Sequence, residues 1–282
     1  MRYLLLVLWS FWGPMAMSQD IRVMSYNIRY ATAPDGINAW SNRKEFLLST
    51  IEKFRPDLLG TQETLLVQKQ FLEEKLSGYS SFGAGREDGK NRGEMAALFY
   101  RDDRFEKLEG GHFWLSEKPE TVASKGWDAA LPRIATWVRL QERAQPDSRP
   151  ILFLNTHFDH KGEQARQQSA KLIRQRLEDW SQSCRLIVTG DFNAGANSTT
   201  YHNFFSDKRL LLDTYRQKYP EASQEEGTFS GFQASRTQGE RIDWIACSPD
   251  FEILEAGIDR TARDGRTPSD HFPVTAVLRS AK

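Results

Sequence analysis

The stretch RLIVTGDFNAGANS, residues 185–198, decides the fold, because a strand pattern ends in it and polar groups follow at once. Four apolar or β-branched residues fill 186–189 and run into Gly190, and Asp191 and Asn193 come next with one residue between them. Asp and Asn beside Gly are also common turn formers, since their side chains hydrogen-bond the local backbone. The stretch alone leaves a turn and an active-site loop equally open, so the ends of the other strands must decide.

Several other segments have the length and composition of strands, with Val, Ile, Leu and aromatic residues between polar or Gly-containing breaks. Helical periodicity places apolar residues on one face over 41–57 and 162–180. Helices alternate with strands early and strands dominate late, which predicts an α/β fold whose mixed sheets are covered by helices. The region 101–133 is predicted to be an irregular, functional loop. The other predicted strands are 21–26, 58–62, 95–100, 134–140, 151–156, 242–247, 251–258 and 272–278.

Polar groups recur at the ends of these strands. In an antiparallel pair the start of one strand lies beside the end of its neighbour, so such groups gather at one edge of packed sheets. Repetition of carboxylate, amide and imidazole at this position predicts one shared catalytic or metal site. The residues concerned are Asn27, Glu63, His157, Asp191 and Asn193 after strands, and Asp243, Asp270 and His271 at the start of strands.

Composition limits the class of protein. The chain has 282 residues, is 39% hydrophobic, and shows no repeat or composition break, so we expect one domain over 19–282. Lys plus Arg and Asp plus Glu each number 38, giving a formal net charge of +0. A nucleic-acid-binding protein usually carries a basic surface. The neutral net charge makes a nucleic-acid-binding protein less expected but does not exclude one, because metal ions can offset phosphate charge locally.

The first 18 residues have the pattern of a secretory signal peptide, with one Arg, a short apolar run and a small-residue segment ending at Ser18. We expect cleavage before Gln19, secretion or periplasmic delivery, and no stable membrane insertion afterwards. A retained N-terminal anchor is the alternative. Cys184 and Cys247 are the only cysteines, and we favour small apolar packing residues over a disulfide.

The residue types indicate metal-assisted acid–base chemistry. Carboxylate and amide oxygens such as those of Glu63, Asp191, Asn193 and Asp270 suit Mg²⁺ or Mn²⁺. A His that transfers protons at neutral pH needs a partner that fixes its tautomer. Asp243 is the candidate partner of His271, and Glu94 is that of His157.

Six short motifs, in this order, resemble the endonuclease/exonuclease/phosphatase superfamily of deoxyribonuclease I-like hydrolases. They are SYNIRY, GTQE, NTHFDH, GDFNA, RIDWI and SDHFPV, and the resemblance covers about residues 21–279. It implies a four-layer α-β-β-α sandwich with two packed mixed β-sheets. It also implies divalent-metal-dependent hydrolysis of phosphoesters.

The resemblance also implies a role for each polar residue, and direct attack of water on phosphorus. Glu63 resembles the Mg²⁺ ligand, with Asn27 close by and Asp270 as the second carboxylate of the metal site. Asp191 resembles the residue that activates water, and Asn193 one that holds phosphate and water. His271 resembles the histidine that contacts the scissile phosphate, with Asp243 as its orienting partner. His157 resembles the other phosphate-contacting histidine, with Glu94 behind it.

The substrate is left open. We expect hydrolysis of phosphodiesters first and of phosphomonoesters second. The candidate compounds are nucleic acids, inositol or sugar phosphates and phospholipid headgroups. The expected oligomeric state is a monomer. Four further residues could contact the phosphate of the substrate or could equally be surface charges: Arg133, His160, Lys161 and Arg166.

Two other classes remain. NTHFDH resembles part of a di-zinc motif, but Asn155 takes the place of its first His and few other histidines are left. A catalytically silent secreted binding protein on the same fold is the non-enzyme alternative.

Overall fold

A computed structural model describes residues 19–281, which form two six-stranded β-sheets with helices outside them. The predicted signal peptide, 1–18, lies outside the described residues. The strands are β1 (Ile21–Asn27), β2 (Leu58–Thr64), β3 (Tyr79–Phe82), β4 (Met95–Arg101), β5 (Phe105–Trp114), β6 (Ile134–Glu142), β7 (Ile151–His157), β8 (Arg185–Asp191), β9 (Leu212–Asp213), β10 (Asp243–Cys247), β11 (Phe251–Ile258) and β12 (Val274–Ser280). The helices are α1 (Trp40–Phe54), α2 (Leu66–Lys75), α3 (Glu163–Ser181), α4 (Thr199–Phe204) and α5 (Thr214–Lys218).

Each sheet contains one parallel strand pair joined through a helix. The first sheet has the order β11-β12-β1-β2-β4-β3, and α1 connects its parallel strands β1 and β2. The second has the order β5-β6-β7-β8-β10-β9, and α3 connects β7 and β8. The remaining neighbours are antiparallel, so both sheets are mixed as expected. Ligand sites in α/β sheets form beyond the carboxyl ends of parallel strands, and here two such ends exist.

Three apolar clusters hold four layers together. Val23 and Leu58 of the first sheet pack with Phe153 and Ile187 of the second. A second cluster joins the first sheet to α1 and α2, and a third joins the second sheet to α3 and α4. This arrangement confirms the predicted α-β-β-α sandwich.

A buried amide links the two sheets below the site. Asn155 of β7 donates from Nδ2 to the carbonyl oxygens of Thr61 and Ala97, both at 2.9 Å. Its Oδ1 accepts from Gln62 Nε2 at 2.7 Å and Thr189 Oγ1 at 3.0 Å. Gly60 allows this approach, because an added Cβ would lie 2.1 Å from Thr189 Oγ1.

Several sequence predictions need correction. The region 101–133 is not an irregular loop throughout, since β5 forms the edge of the second sheet. Most of β5 is partly exposed and it contains two adjacent glycines, so it lacks the apolar pattern of a buried strand. Trp114 is 5% exposed and packs in the interior.

Helix α2, strands β3 and β9, and helices α4 and α5 were also absent from the sequence prediction, because each is short or weakly patterned. Cys184 and Cys247 are both buried and unpaired. None of the helices in the described residues has the length and apolar character needed to cross a membrane.

Candidate active site

One cavity lies where strand ends from both sheets meet. β1, β2, β7 and β8 supply their carboxyl ends, and β4, β6, β10 and β12 begin at the same edge. The cavity has a volume of about 580 Å³. It is lined by Arg29, Tyr30, Glu63, Glu94, Leu131, Arg133, His157, His160, Asp191, Asn193, Phe229, Ile242, Asp270 and His271.

The contact between the sheets is direct at the floor of this cavity. Asn27 Nδ2 donates to Asp191 Oδ2 at 2.8 Å and to Glu63 Oε1 at 3.1 Å. The end of β1 therefore touches the end of β8 in the other sheet, and the polar strand ends converge as the sequence predicted.

His271 stands between two carboxylates. Its Nδ1 lies 2.9 Å from Asp243 Oδ2 and its Nε2 lies 3.8 Å from Asp191 Oδ2. Burial opposes charge on the ring, but Asp243 and Asp191 outweigh it and raise the pKa of His271 well above its usual value. Asp243 thus lies where the sequence analysis expected it, beside His271 Nδ1, where it can orient the imidazole ring. The arrangement gives a protonated imidazole with Nε2–H directed toward Asp191.

Asp191 has the properties of a base that works near neutral pH. Burial and the neighbouring Asp243 raise the pKa of Asp191 to about 7, opposed by His271 and by hydrogen bonds from Asn27 and Asn193. A catalytic base is most effective when its pKa is close to the working pH. The carboxylate is 1% exposed and faces the cavity.

His157 is held in the opposite charge state. Burial and then the positive charges of Arg133 and Arg86 lower the pKa of His157 well below its usual value. Asn193 Nδ2 lies 3.1 Å from His157 Nε2 and also donates to the Phe158 carbonyl oxygen at 3.1 Å. The ring is therefore a neutral, fixed group beside Asp191.

Glu94 lies behind His157, as predicted, but does not bond it directly. Glu94 Oε2 is 3.8 Å from His157 Nδ1, while the Arg86 guanidinium donates a hydrogen bond to each Glu94 carboxylate oxygen at 2.8 Å. Arg86, Glu94 and His157 all line a small cavity of about 10 Å³, which is about the volume that one water needs. Buried, unpartnered nitrogens of Arg86, Arg133 and His157 belong to residues of its wall.

Two of the three residues predicted to hold metal fit a hard divalent cation. Glu63 and Asp270 line the cavity and supply carboxylate oxygens of the kind that Mg²⁺ prefers. Asn27 directs its Nδ2 toward Glu63, and its Oδ1 accepts from the backbone N–H of Arg29 at 3.0 Å, so a ligand role for Asn27 remains a prediction. Arg29 lies among carboxylates, with Nε 3.6 Å from Asp270, Nη1 4.0 Å from Glu63 and a bond of 3.0 Å to Asp35. One guanidinium among three carboxylates leaves negative charge that a divalent cation would offset.

A second group also brings possible ligands together. Atoms of Asp191, Asp243 and His271 lie within 4.8 Å of one another. His271 is already committed to Asp243 through Nδ1, and a protonated imidazole is not a metal ligand. We therefore assign this group to proton transfer and keep the metal on the side of Glu63.

Two site residues occupy unfavourable backbone conformations. Glu63 has φ of 57° and Asn193 has φ of 48°, in the left-handed region that non-glycine residues seldom adopt. Such strain costs on the order of 1–3 kcal/mol and concentrates at functional sites. Glu63 lies one residue before the end of β2, at a register shift, and Asn193 lies two residues after the end of β8. Both residues line the cavity.

The four additional substrate contacts predicted from the sequence divide into two pairs. Arg133 and His160 line the cavity. Lys161 and Arg166 are not among its lining residues, and Arg166 Nη1 donates to the Asp159 carbonyl oxygen at 2.9 Å. A phosphate contact by Lys161 or Arg166 remains a prediction.

The side chains of the zinc-like motif do not converge. Asn155 is engaged between the sheets, Asp159 bonds Arg133 at 3.2 Å, and His160 bonds the same arginine at 2.9 Å. His112 stacks on Phe82 with ring centroids 4.8 Å apart. These contacts give no support to the di-zinc alternative.

Sequence reasoning missed part of the cavity wall. Arg29 had a usable signal, because it stands two residues beyond Asn27, where β1 ends. Phe229 and Leu131 lie in loops without periodicity, and an isolated bridge pairs Phe229 with His271.

Comparison with known proteins supports the reading of these motifs. A family model described as Endonuclease/Exonuclease/phosphatase family matches residues 24–271. Mouse Nocturnin is 25% identical over 285 residues, which cover 90% of this chain and 63% of that protein. The chain thus spans less than two thirds of Nocturnin.

Solved structures from Bacteroides thetaiotaomicron are more similar. One is an endonuclease/exonuclease/phosphatase family protein with 36% identity and a TM-score of 0.85, covering 94% of this chain and 96% of that one. Another is described as a mannosyl-6-phosphatase, with 37% identity and a TM-score of 0.83, covering 92% and 99% of the two chains.

Proposed function

The chain belongs to the endonuclease/exonuclease/phosphatase family, whose members hydrolyse phosphoester bonds, and we propose that it is a Mg²⁺- or Mn²⁺-dependent phosphatase of small phosphomonoesters. The observation that carries the proposal is the placement of Asp191. This carboxylate, with a pKa of about 7, lies between neutral His157 at 3.5 Å and protonated His271 at 3.8 Å.

The proposed reaction is direct attack of water on phosphorus. Asp191 positions the water and accepts its proton as the new P–O bond forms, while Nε2–H of His271 donates to a non-bridging phosphoryl oxygen. The P–O bond to the alcohol breaks, and the departing alkoxide takes a proton from solvent. Asn193 holds the phosphate and water beside His157. Glu63 and Asp270, with Asn27 beside them, would hold a divalent ion, which would supply charge neutralisation of the phosphoryl and leaving-group oxygens.

A small substrate is supported by the site and by one relative. A cavity of about 580 Å³ has the size of a small-molecule pocket. The formal net charge of +0 provides no general attraction for a polyanion. The mannosyl-6-phosphatase matches 92% of this chain at 37% identity, which moves our preference from phosphodiesters to sugar phosphomonoesters.

The test is a substrate panel with residues 19–282. Mannose 6-phosphate, a dinucleotide and supercoiled plasmid are incubated with Mg²⁺, with EDTA, and with the His271→Ala variant. We expect phosphate release from the sugar phosphate that both EDTA and the substitution abolish. Plasmid nicking without phosphate release would instead establish a nuclease. No turnover of any substrate would favour the silent binding protein.

We further propose that the enzyme is exported, monomeric and cleaved before Gln19. Cleavage there would leave β1 intact, because β1 begins at Ile21. It would also keep the hydrogen bonds that Arg104 donates to the carbonyl oxygens of Gln19 and Asp20 at 3.0 and 2.8 Å. N-terminal sequencing of the protein from culture medium or periplasm tests the site. An N-terminus at Met1 in a membrane fraction would support the anchor alternative.

A further inference from the structure

The Arg133 guanidinium fixes the protonation of a histidine at the cavity rim. Arg133 is 3% exposed, and its Nη2 lies 2.9 Å from His160 Nδ1. A guanidinium carries only donors and stays protonated in proteins. Nδ1 of His160 must therefore accept this bond, so the ring is neutral and its proton lies on Nε2.

The charge around this pair is balanced. Arg133 Nε donates to Asp159 Oδ2 at 3.2 Å, and Asp159 is 1% exposed. Burial and then Arg133 lower the pKa of His160, which keeps its imidazole neutral. His160 therefore presents an uncharged donor on the open side of its ring, where it lines the cavity.

The cavity also has apolar and aromatic lining residues. Leu131 and Phe229 line the cavity and are 38% and 37% exposed, although they are large hydrophobic residues. Tyr30 and Ile242 add further apolar surface. Apolar faces with a few oriented donors suit a ring that has both C–H faces and oxygen atoms. A second phosphate group would instead need an unpaired cation.

We propose that His160, held by Arg133, is a specificity residue whose Nε2–H donates to a hydroxyl or ring oxygen of the alcohol part of the substrate. The preferred leaving groups are then polyhydroxylated, as in sugar or polyol phosphates. This inference rests on the proposed phosphatase function. Arg133 acts through His160 as a positioning residue and does not itself contact the phosphate.

The kinetic test compares two phosphomonoesters that differ in their hydroxyl groups. Mannose 6-phosphate and cyclohexylmethyl phosphate are given to the wild type, to His160→Ala and to His202→Ala. His202 is an exposed residue of α4 outside the cavity lining and serves as the matched control. For His160→Ala we expect kcat/KM to fall about three- to tenfold on the sugar phosphate only, the loss of one neutral hydrogen bond.

An equal loss on both compounds would show that His160 contacts the phosphate and would overturn the inference, as would no loss on either. If the wild type hydrolyses neither compound, the proposed function fails. Calorimetric binding of the same two compounds to the same variants then decides the inference, with selective weakening of sugar phosphate binding as the supporting result.

The tautomer is tested without any substrate. Nitrogen-15 NMR of the imidazoles should show His160 with a bare Nδ1 and a protonated Nε2 in the wild type. Arg133→Lys keeps a buried cation but loses the planar donor pair, so we expect a mixture of tautomers at His160. A proton on Nδ1 of His160 in the wild type would overturn the inference.

Discussion

At the residue scale, the site separates its histidines by charge state. Asp243 and Asp191 raise the pKa of His271, while Arg133 and Arg86 add to burial in lowering that of His157. The same residue type thus serves as a proton donor on one wall and as a neutral group on the other. Neighbouring charges, and not residue identity, set these roles.

Replacing Asp243 with Asn removes the charge that keeps His271 protonated and preserves the shape of the side chain. We expect kcat to fall by about 10²–10³, the usual contribution of a donor that stabilises charge on the transition-state oxygens, with little change in KM. Steady-state kinetics with the sugar phosphate measures both constants. Asp264→Asn, at an exposed position, is the control. A wild-type kcat in Asp243→Asn would remove this role from Asp243.

Asp159 should make stability depend on pH. Burial would raise the pKa of Asp159, but backbone N–H groups of Gly162, Ala130 and Lys161 and the Arg133 guanidinium hold it well below its usual value of 3.8. A depressed folded-state pKa contributes stability above the unfolded pKa, and this contribution is lost as pH falls toward the folded pKa.

The variant Asp159→Asn should therefore lower the free energy of unfolding at pH 7, and the difference from the wild type should shrink below about pH 4. Urea denaturation at several pH values measures it. A difference that stays constant from pH 7 to pH 3 would show that the loss is one of packing and not of charge.

At the element scale, two parallel strand pairs create the site. β1 and β2 end in one sheet where β7 and β8 end in the other, and Asn27 bonds Asp191 across them at 2.8 Å. The relative position of the sheets therefore controls catalytic geometry. Asn155 and Gly60, just below the site, set that position.

Asn155→Ala should destabilise the protein by about 3 kcal/mol, because several buried donors and carbonyl groups each lose one hydrogen bond. The affected groups include Gln62 Nε2 and the carbonyl oxygens of Thr61 and Ala97. Urea denaturation gives the free energy of unfolding. Asn42→Ala, on the exposed side of α1, should change it little. Equal effects of the two substitutions would contradict a bridging role.

At the scale of the whole molecule, metal binding should stabilise the fold. A ligand that binds only the folded state at about 100 times its Kd adds about 2.7 kcal/mol, which raises the unfolding temperature by roughly 5–10 °C in a domain of this size. We expect this shift with Mg²⁺ for the wild type and its loss in Glu63→Gln.

Thermal unfolding with Mg²⁺ and with EDTA measures the shift, and Glu45→Gln, exposed on α1, controls for the lost charge. An undiminished shift in Glu63→Gln would place the ion elsewhere.

Much of the architecture was predictable because strand and helix periodicity is local. The central strands, with continuous apolar runs such as 151–156 and 185–190, were found within a few residues of their true bounds. β5 was missed, since an edge strand that is largely exposed needs no apolar pattern. Phe229 was missed because its place in the wall depends on a loop pairing with His271.

The sequence by itself determined the strands and the polar residues at their ends, since side-chain periodicity and turn chemistry act over a few neighbouring residues. Only the tertiary structure decided which of those ends meet, as Asn27 and Asp191 do from different sheets. It also decided the charge states, because the raised pKa of Asp191 and the tautomer of His160 depend on burial and on Asp243 and Arg133, residues distant in the chain. Burial and Coulomb interactions depend on distance in space, which local sequence does not encode.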